Sequence, residues 1–116
     1  MIRWLHGRPA DDLFLSAVTI GEIERGIVRQ REQDPVFAEA LELWLDRTVE
    51  IYGDRILPVD TRVGRRWGGL SARIGNEGAD LLIAATALEH GLVVVTRNIR
   101  HFERTGVEII NPFDSL

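Results

Sequence analysis

Residues 79–96 read Ala79-Asp80-Leu81-Leu82-Ile83-Ala84-Ala85-Thr86-Ala87-Leu88-Glu89-His90-Gly91-Leu92-Val93-Val94-Val95-Thr96, and this run holds a helix, its stop and a strand. From Ala79 to His90 apolar side chains fall on nearly every side of a helix, so the helix is expected to be buried on more than one face. Gly91 supplies the residue that ends it. Leu92–Thr96 is a continuous, largely β-branched run, the pattern of a strand covered on both faces. A buried helix feeding a buried strand is a unit of an α/β domain with a parallel sheet.

The same alternation extends in both directions. Leu13–Ala17 is a short apolar run after Asp11-Asp12 and reads as a buried strand. Thr19 stands three residues before Glu22, a capping-box pattern, and Ile20, Ile23, Ile27 and Val28 carry a helix to about Gln30. Asp34-Pro35 opens a further helix, with Phe37, Leu41, Trp44, Leu45 and Ile51 at helical spacing up to Tyr52 and Gly53 as its end. Ile56–Val59 is a short strand that Pro58 places at an edge or at the strand's end. Asp60 or Thr61 caps a helix over about Arg62–Ile74, with Val63, Trp67, Leu70 and Ile74 on one face, and residues 75–78 form a loop. After the β-branched run, Asn98–Phe102 is a helical turn, Val107–Ile110 a last strand, and Asn111-Pro112 its end. Met1–His6 reads as the tail of a helix stopped by Gly7 and Pro9. Strands alternating with helices predict a parallel sheet flanked by helices on both faces, with ligands outside the carboxyl ends of the strands.

The chain has 116 residues, enough for one hydrophobic core, and is read as a single domain over 1–116. Without cysteine it has neither disulfides nor thiolate metal sites. No apolar run has the length of a membrane span and no signal-peptide layout opens the chain, so a cytoplasmic protein is expected. The net charge of −4 argues against nucleic-acid binding by bulk charge. It leaves room for a nuclease that uses a divalent cation, because the cation needs carboxylates and itself meets the phosphate. All 14 basic residues are arginine. GC-rich coding explains that without function; the functional reading is that guanidinium forks suit phosphate.

Three residues stand where strand ends and helix starts would converge: Glu22, Asp80 and Asn98. Each also has a purely structural reading. Asp80 at a helix N-terminus caps it, Glu22 closes the Thr19 box, and Asn98 is a turn or cap residue. Taken together they form an oxygen-rich set suited to Mg²⁺ or Mn²⁺, which prefer one or two carboxylates with water and substrate phosphate. Phosphodiester hydrolysis needs an activated water and relief of phosphate charge, which such a cation supplies. Arg97, next to Asn98, is the candidate phosphate contact. Arg25, Arg29, Arg31, Arg62, Arg65 and Arg66 either touch phosphate or form solvated helix faces. His90 reads as a helix-dipole partner and His101 as a residue at the edge of the site. Trp44 and Trp67 read as core or interface residues. The glycines at 68, 69, 75 and 78 form no phosphate-binding loop, which leaves a nucleotide-binding module without support.

Four segments resemble motifs of one family, in its order. Leu15–Gly26, with Glu22, looks like the second acidic motif of PIN-domain proteins. Ala79–Ala87 with His90-Gly91 looks like the third. Val95-Thr96-Arg97-Asn98 with His101-Phe102 looks like the fourth, and Ile110-Asn111-Pro112-Phe113 like the closing segment. Within the family, the chain is most similar to VapC-type toxin ribonucleases of bacterial toxin–antitoxin pairs. That resemblance implies a Mg²⁺- or Mn²⁺-dependent endoribonuclease, held inactive by a VapB-type antitoxin and forming a homodimer. It makes Glu22 and Asp80 metal-site residues and Asn98 a catalytic-site residue where many members carry Asp. The family opens on a strand ending in Asp, for which nothing here matches. Asp11 and Asp12 precede a strand instead of following one, so the first strand and most of the first helix are expected to be missing. The alternative is a catalytically impaired PIN-like protein that binds an antitoxin or dimer partner without cutting.

Overall fold

The computed structural model describes residues 13–75 and 78–111. The readings on Met1–His6, Gly7, Pro9, Asp11, Asp12, Pro112 and Phe113 lie outside the described residues. The order of elements is β1 (Leu15–Ser16), α1 (Ala17–Gln33), α2 (Pro35–Tyr52), β2 (Ile56–Leu57), α3 (Thr61–Ile74), α4 (Ala79–His90), β3 (Val94–Val95), α5 (Ile99–Phe102) and β4 (Ile109–Ile110), with one-turn 3₁₀ segments after α2 and α5.

Local chemistry sets most of the boundaries. Asp34 Oδ1 accepts from the Phe37 N–H at 3.1 Å and Pro35 occupies the first turn of α2. Asp60 Oδ1 does the same for Val63 at 3.0 Å and opens α3. Each such cap is worth about 1 kcal/mol because it satisfies an N–H that the helix cannot. α4 ends as its sequence predicts. Gly91 takes φ 66°, its N–H bonds the Leu88 carbonyl, and the Leu92 N–H reaches back to the Ala87 carbonyl at 2.8 Å. This is the Schellman arrangement, and the left-handed residue in it is the one that a Cβ would strain.

The strands are parallel, as expected, but short. β1 pairs with β2 (Leu15 with Ile56, Ser16 with Leu57), and β3 with β4 (Val94 with Ile109, Val95 with Ile110). No ladder joins the two pairs among the described residues, so the expected sheet is present as two separate two-stranded halves. Of the Leu92–Thr96 run, Val94 and Thr96 are buried while Leu92, Val93 and Val95 are half-buried.

Three apolar clusters hold the elements together. Ala84 and Ala87 of α4 meet Val94, Phe102 and Val107. Leu81 and Ala85, on the adjoining face of α4, meet Val63 and Leu70 of α3, with Trp67 half-buried at the margin. α4 is thus buried on more than one side, as its composition predicts. Ile27, Ala38 and Leu45 form the seam of the α1–α2 hairpin. The stripe expected along α2 divides here. Leu41 and Leu45 face α1, whereas Phe37, Trp44 and Ile51 point to solvent; Trp44 is 52% exposed and Ile51 69%. Trp44 is therefore not a core residue. α2 is apolar over more of its circumference than one neighbouring helix can cover.

Candidate functional site

The start of α1 differs from the sequence reading, and the difference bears on Glu22. The chain leaves β1 at Ser16, and the Ser16 hydroxyl caps α1 by accepting from the Val18 N–H at 3.0 Å. Thr19 lies one turn inside the helix, where it is buried and its hydroxyl has no partner among the described residues. The Thr19–Glu22 capping box is not formed, because the cap falls on Ser16, the last residue of the ladder. Glu22 is consequently not engaged in capping. It stands exposed on α1 and makes no hydrogen bond or ion pair among the described residues.

Asp80 is likewise not the cap of its helix. Gly78 occupies the cap position with no side-chain bond, and Asp80 sits in the first turn of α4. The positive end of the helix dipole favours a carboxylate there. Its Oδ2 lies 2.5 Å from Nδ1 of His101. An ionised carboxylate can only accept, so in this contact Nδ1 is the donor. His101 therefore contacts Asp80 directly. It fixes the rotamer of Asp80 and leaves Oδ1 without a hydrogen-bond partner among the described residues.

Asn98 is the cap residue of α5, but its side chain makes no capping bond. Its backbone is tied down instead. The Asn98 N–H donates to Thr96 Oγ1 at 3.0 Å, and its carbonyl accepts from the His101 N–H at 3.2 Å. Thr96 is itself anchored in the β3–β4 ladder through its N–H to the Ile110 carbonyl at 3.0 Å. The carboxyl end of β3 thus presents Asn98 and His101 on one rigid turn, and His101 meets the N-terminus of α4. Arg97 is exposed on the same turn. His90 is exposed in the last turn of α4 and is not brought to the site.

The structure therefore brings Asp80 and His101 together, places Asn98 three residues from His101, and leaves Glu22 exposed on a neighbouring helix. In kind, the oxygens of Asp80, Glu22 and Asn98 fit a hard divalent cation, which takes few protein ligands and retains water. In number the set is sparse, since among the described residues no three His, Cys, Asp or Glu side chains are gathered closely enough to hold a metal. The Asp80–His101 contact was legible only as two separate motif residues. Twenty-one positions separate them, and no local periodicity links them.

Comparison with known proteins identifies the family. The PIN domain model matches residues 2–108. The chain is 31% identical to the VapC ribonuclease Y4jK of Sinorhizobium fredii, over 98% of this chain and 84% of that protein. It is 30% identical to the toxin FitB of Neisseria gonorrhoeae, over 97% of this chain and 84% of that one. Among solved structures, FitAcB from Neisseria gonorrhoeae superposes with a TM-score of 0.74 at 31% identity, over 95% of this chain and 82% of that chain. With the acidic motifs in order, the parallel α/β architecture and similarity to VapC-type proteins along nearly all of its length, this chain belongs to the PIN domain family and to its VapC-like toxins.

Proposed function

We propose that this protein is a divalent-metal-dependent endoribonuclease toxin of a toxin–antitoxin pair. The observation that carries the reading is the carboxylate of Asp80. It is not used in capping, it lies in the first turn of a buried helix, and His101 holds it from the turn that follows β3. Asp80 and Glu22 would hold Mg²⁺ or Mn²⁺, with the Asn98 amide oxygen as a neutral ligand or water-orienting group. When bound, the cation supplies an activated water and offsets charge on the scissile phosphate. His101 acts through Asp80, by keeping its second oxygen aimed at the site. Arg97 supplies a guanidinium on the phosphate side. The purified protein is expected to cut RNA with Mg²⁺ or Mn²⁺, to stop when the cation is chelated, and to resume when it is restored. Intact RNA in the presence of a well-folded, metal-supplied protein would overturn the reading.

A second reading has its own observation. Among the described residues the acidic groups do not form a three-ligand cluster, and Asn98 brings no charge. That is the pattern of a PIN-like protein that binds a partner without cutting, and the same assay separates the two.

Both readings include a protein partner, a VapB-type antitoxin, together with self-association as a homodimer. The outward stripe of α2 suits the antitoxin contact. Phe37, Trp44 and Ile51 repeat every seven residues on one side of α2 and, like Leu43, are exposed, and clustered exposed apolar side chains on a small domain mark an interaction surface. Replacing Trp44 and Ile51 together by Glu is expected to weaken antitoxin binding by about thirtyfold or more, the cost of losing a buried aromatic anchor. Titration calorimetry against the antitoxin measures it. The unfolding midpoint should stay level, because neither side chain supports the core. Unchanged affinity would place the contact elsewhere.

A further inference from the structure

One side of α3 carries a feature that the acidic site does not use. Arg62, Arg65, Arg66 and Arg73 line a shallow, open groove with Gly69 and Leu70 among them and Glu89 of α4 at its edge. Four guanidinium groups therefore face one carboxylate, on a chain whose total charge is −4. Glu89 engages Arg66 at 2.8 Å and Arg62 at 3.7 Å. Exposed pairs of this kind contribute little, so Arg62 and Arg66 remain accessible to solvent. Arg65 and Arg73 are exposed and form no ion pair among the described residues.

The groove is not part of the acidic site. Asp80 and Glu89 are nine residues apart on α4, which puts them on opposite sides of the helix and about 13 Å apart along its axis. Its geometry is linear. Arg62, Arg66, Gly69 and Arg73 follow one face of α3, a helical turn from each to the next, and Arg65 flanks them. At Gly69 no side chain rises between the arginines, and a Cβ there would meet no atom within 4 Å. Guanidinium forks at Arg62, Arg66 and Arg73 along one face, with Arg65 beside them, suit a polyanion of phosphates, which they bind bidentately. Among the described residues no aromatic side chain lines the groove, so they offer no platform there for stacking bases.

We propose that the arginine groove of α3 binds the phosphodiester backbone of a single RNA strand, without sequence preference, at a site separate from Asp80. This rests on the ribonuclease reading for the identity of the polyanion. The test uses the full chain under chelating conditions, so that binding is read without cutting. Anisotropy of a labelled oligouridylate is followed from about 50 to 200 mM salt. The double variant Arg65→Ala with Arg73→Ala removes two exposed cations. Its affinity at 0.1 M salt should fall about twentyfold, and the slope of log K against log salt should flatten by about 1.4, or 0.7 for each phosphate of a single strand that is no longer neutralised. Gly69→Glu places a carboxylate among the four guanidinium groups and should give a similar loss. Glutamate is a better helix former than glycine, and circular dichroism melting should show both variants folded.

Unchanged affinity and slope in both folded variants would overturn the proposal, as would tighter binding of polyglutamate than of RNA, which would assign the groove to an acidic protein segment. Groove-dependent RNA binding by a protein that never cuts with Mg²⁺ would uphold the groove and overturn the ribonuclease reading. Normal cutting with binding insensitive to both variants would do the reverse.

Discussion

Asp80→Asn is expected to lower the rate of metal-dependent RNA cleavage by on the order of a hundredfold to a thousandfold, the scale of a group that positions or activates the attacking water. The substitution keeps the shape and the hydrogen-bonding reach of the side chain. It removes the charge that would hold the cation and weakens the contact to His101. Loss of a favourable charge in the first turn of α4 costs only about 0.3–1 kcal/mol, so the protein should remain folded. His101→Ala should give a smaller loss, about tenfold to a hundredfold, because it releases the carboxylate without removing it. Raising the Mg²⁺ concentration should recover part of the His101→Ala defect and little of the Asp80→Asn defect. Initial cleavage rates across a metal titration check both. Undiminished cutting by Asp80→Asn would remove Asp80 from the metal site.

The neighbouring residue carries the second large effect, on stability. Leu81 is 1% exposed and packs with Val63, Leu70 and Ala85 where α3 meets α4. Leu81→Ala deletes its branched end from a closed cluster, at a cost of about 2–5 kcal/mol. A domain of this size has roughly 5–15 kcal/mol in all, so the loss takes up a large share of it. The urea midpoint should drop sharply with little change in slope. The contrasting substitution is Leu43→Ala. Leu43 is equally apolar but 59% exposed on α2, and its loss should move stability by no more than about 0.5 kcal/mol. Equal losses at the two positions would mean that α2 is covered and that its outward stripe is part of the core.

How much of this was legible in the sequence depends on the range of the interaction. The helix ends at Asp34-Pro35, Gly53, Asp60 and Gly91 follow from bonds that close within about five residues, so the residues alone place them to within a position or so. The buried character of α4 follows from apolar residues on every side of its cycle. The resemblance to the family's motifs singles out Glu22, Asp80 and Asn98 as candidates without any structure at all. The cap of α1 was misplaced on Thr19 because two hydroxyl residues compete three positions apart, and the choice between them is made by where the β1–β2 ladder ends.

Features that require two distant segments to meet lay outside the sequence's reach. The split of the parallel strands into two pairs depends on which strand edges meet. The outward turn of Trp44 and Ile51 depends on how little of α2 its neighbour covers. The alignment of Glu89 with Arg62 and Arg66 depends on α3 and α4 running back along each other. The residues of 79–96 determined a buried helix, its glycine stop and a strand. Only the tertiary structure decided that the carboxylate opening that helix is held by His101, because their contact forms when the turn beyond β3 packs against the first turn of α4.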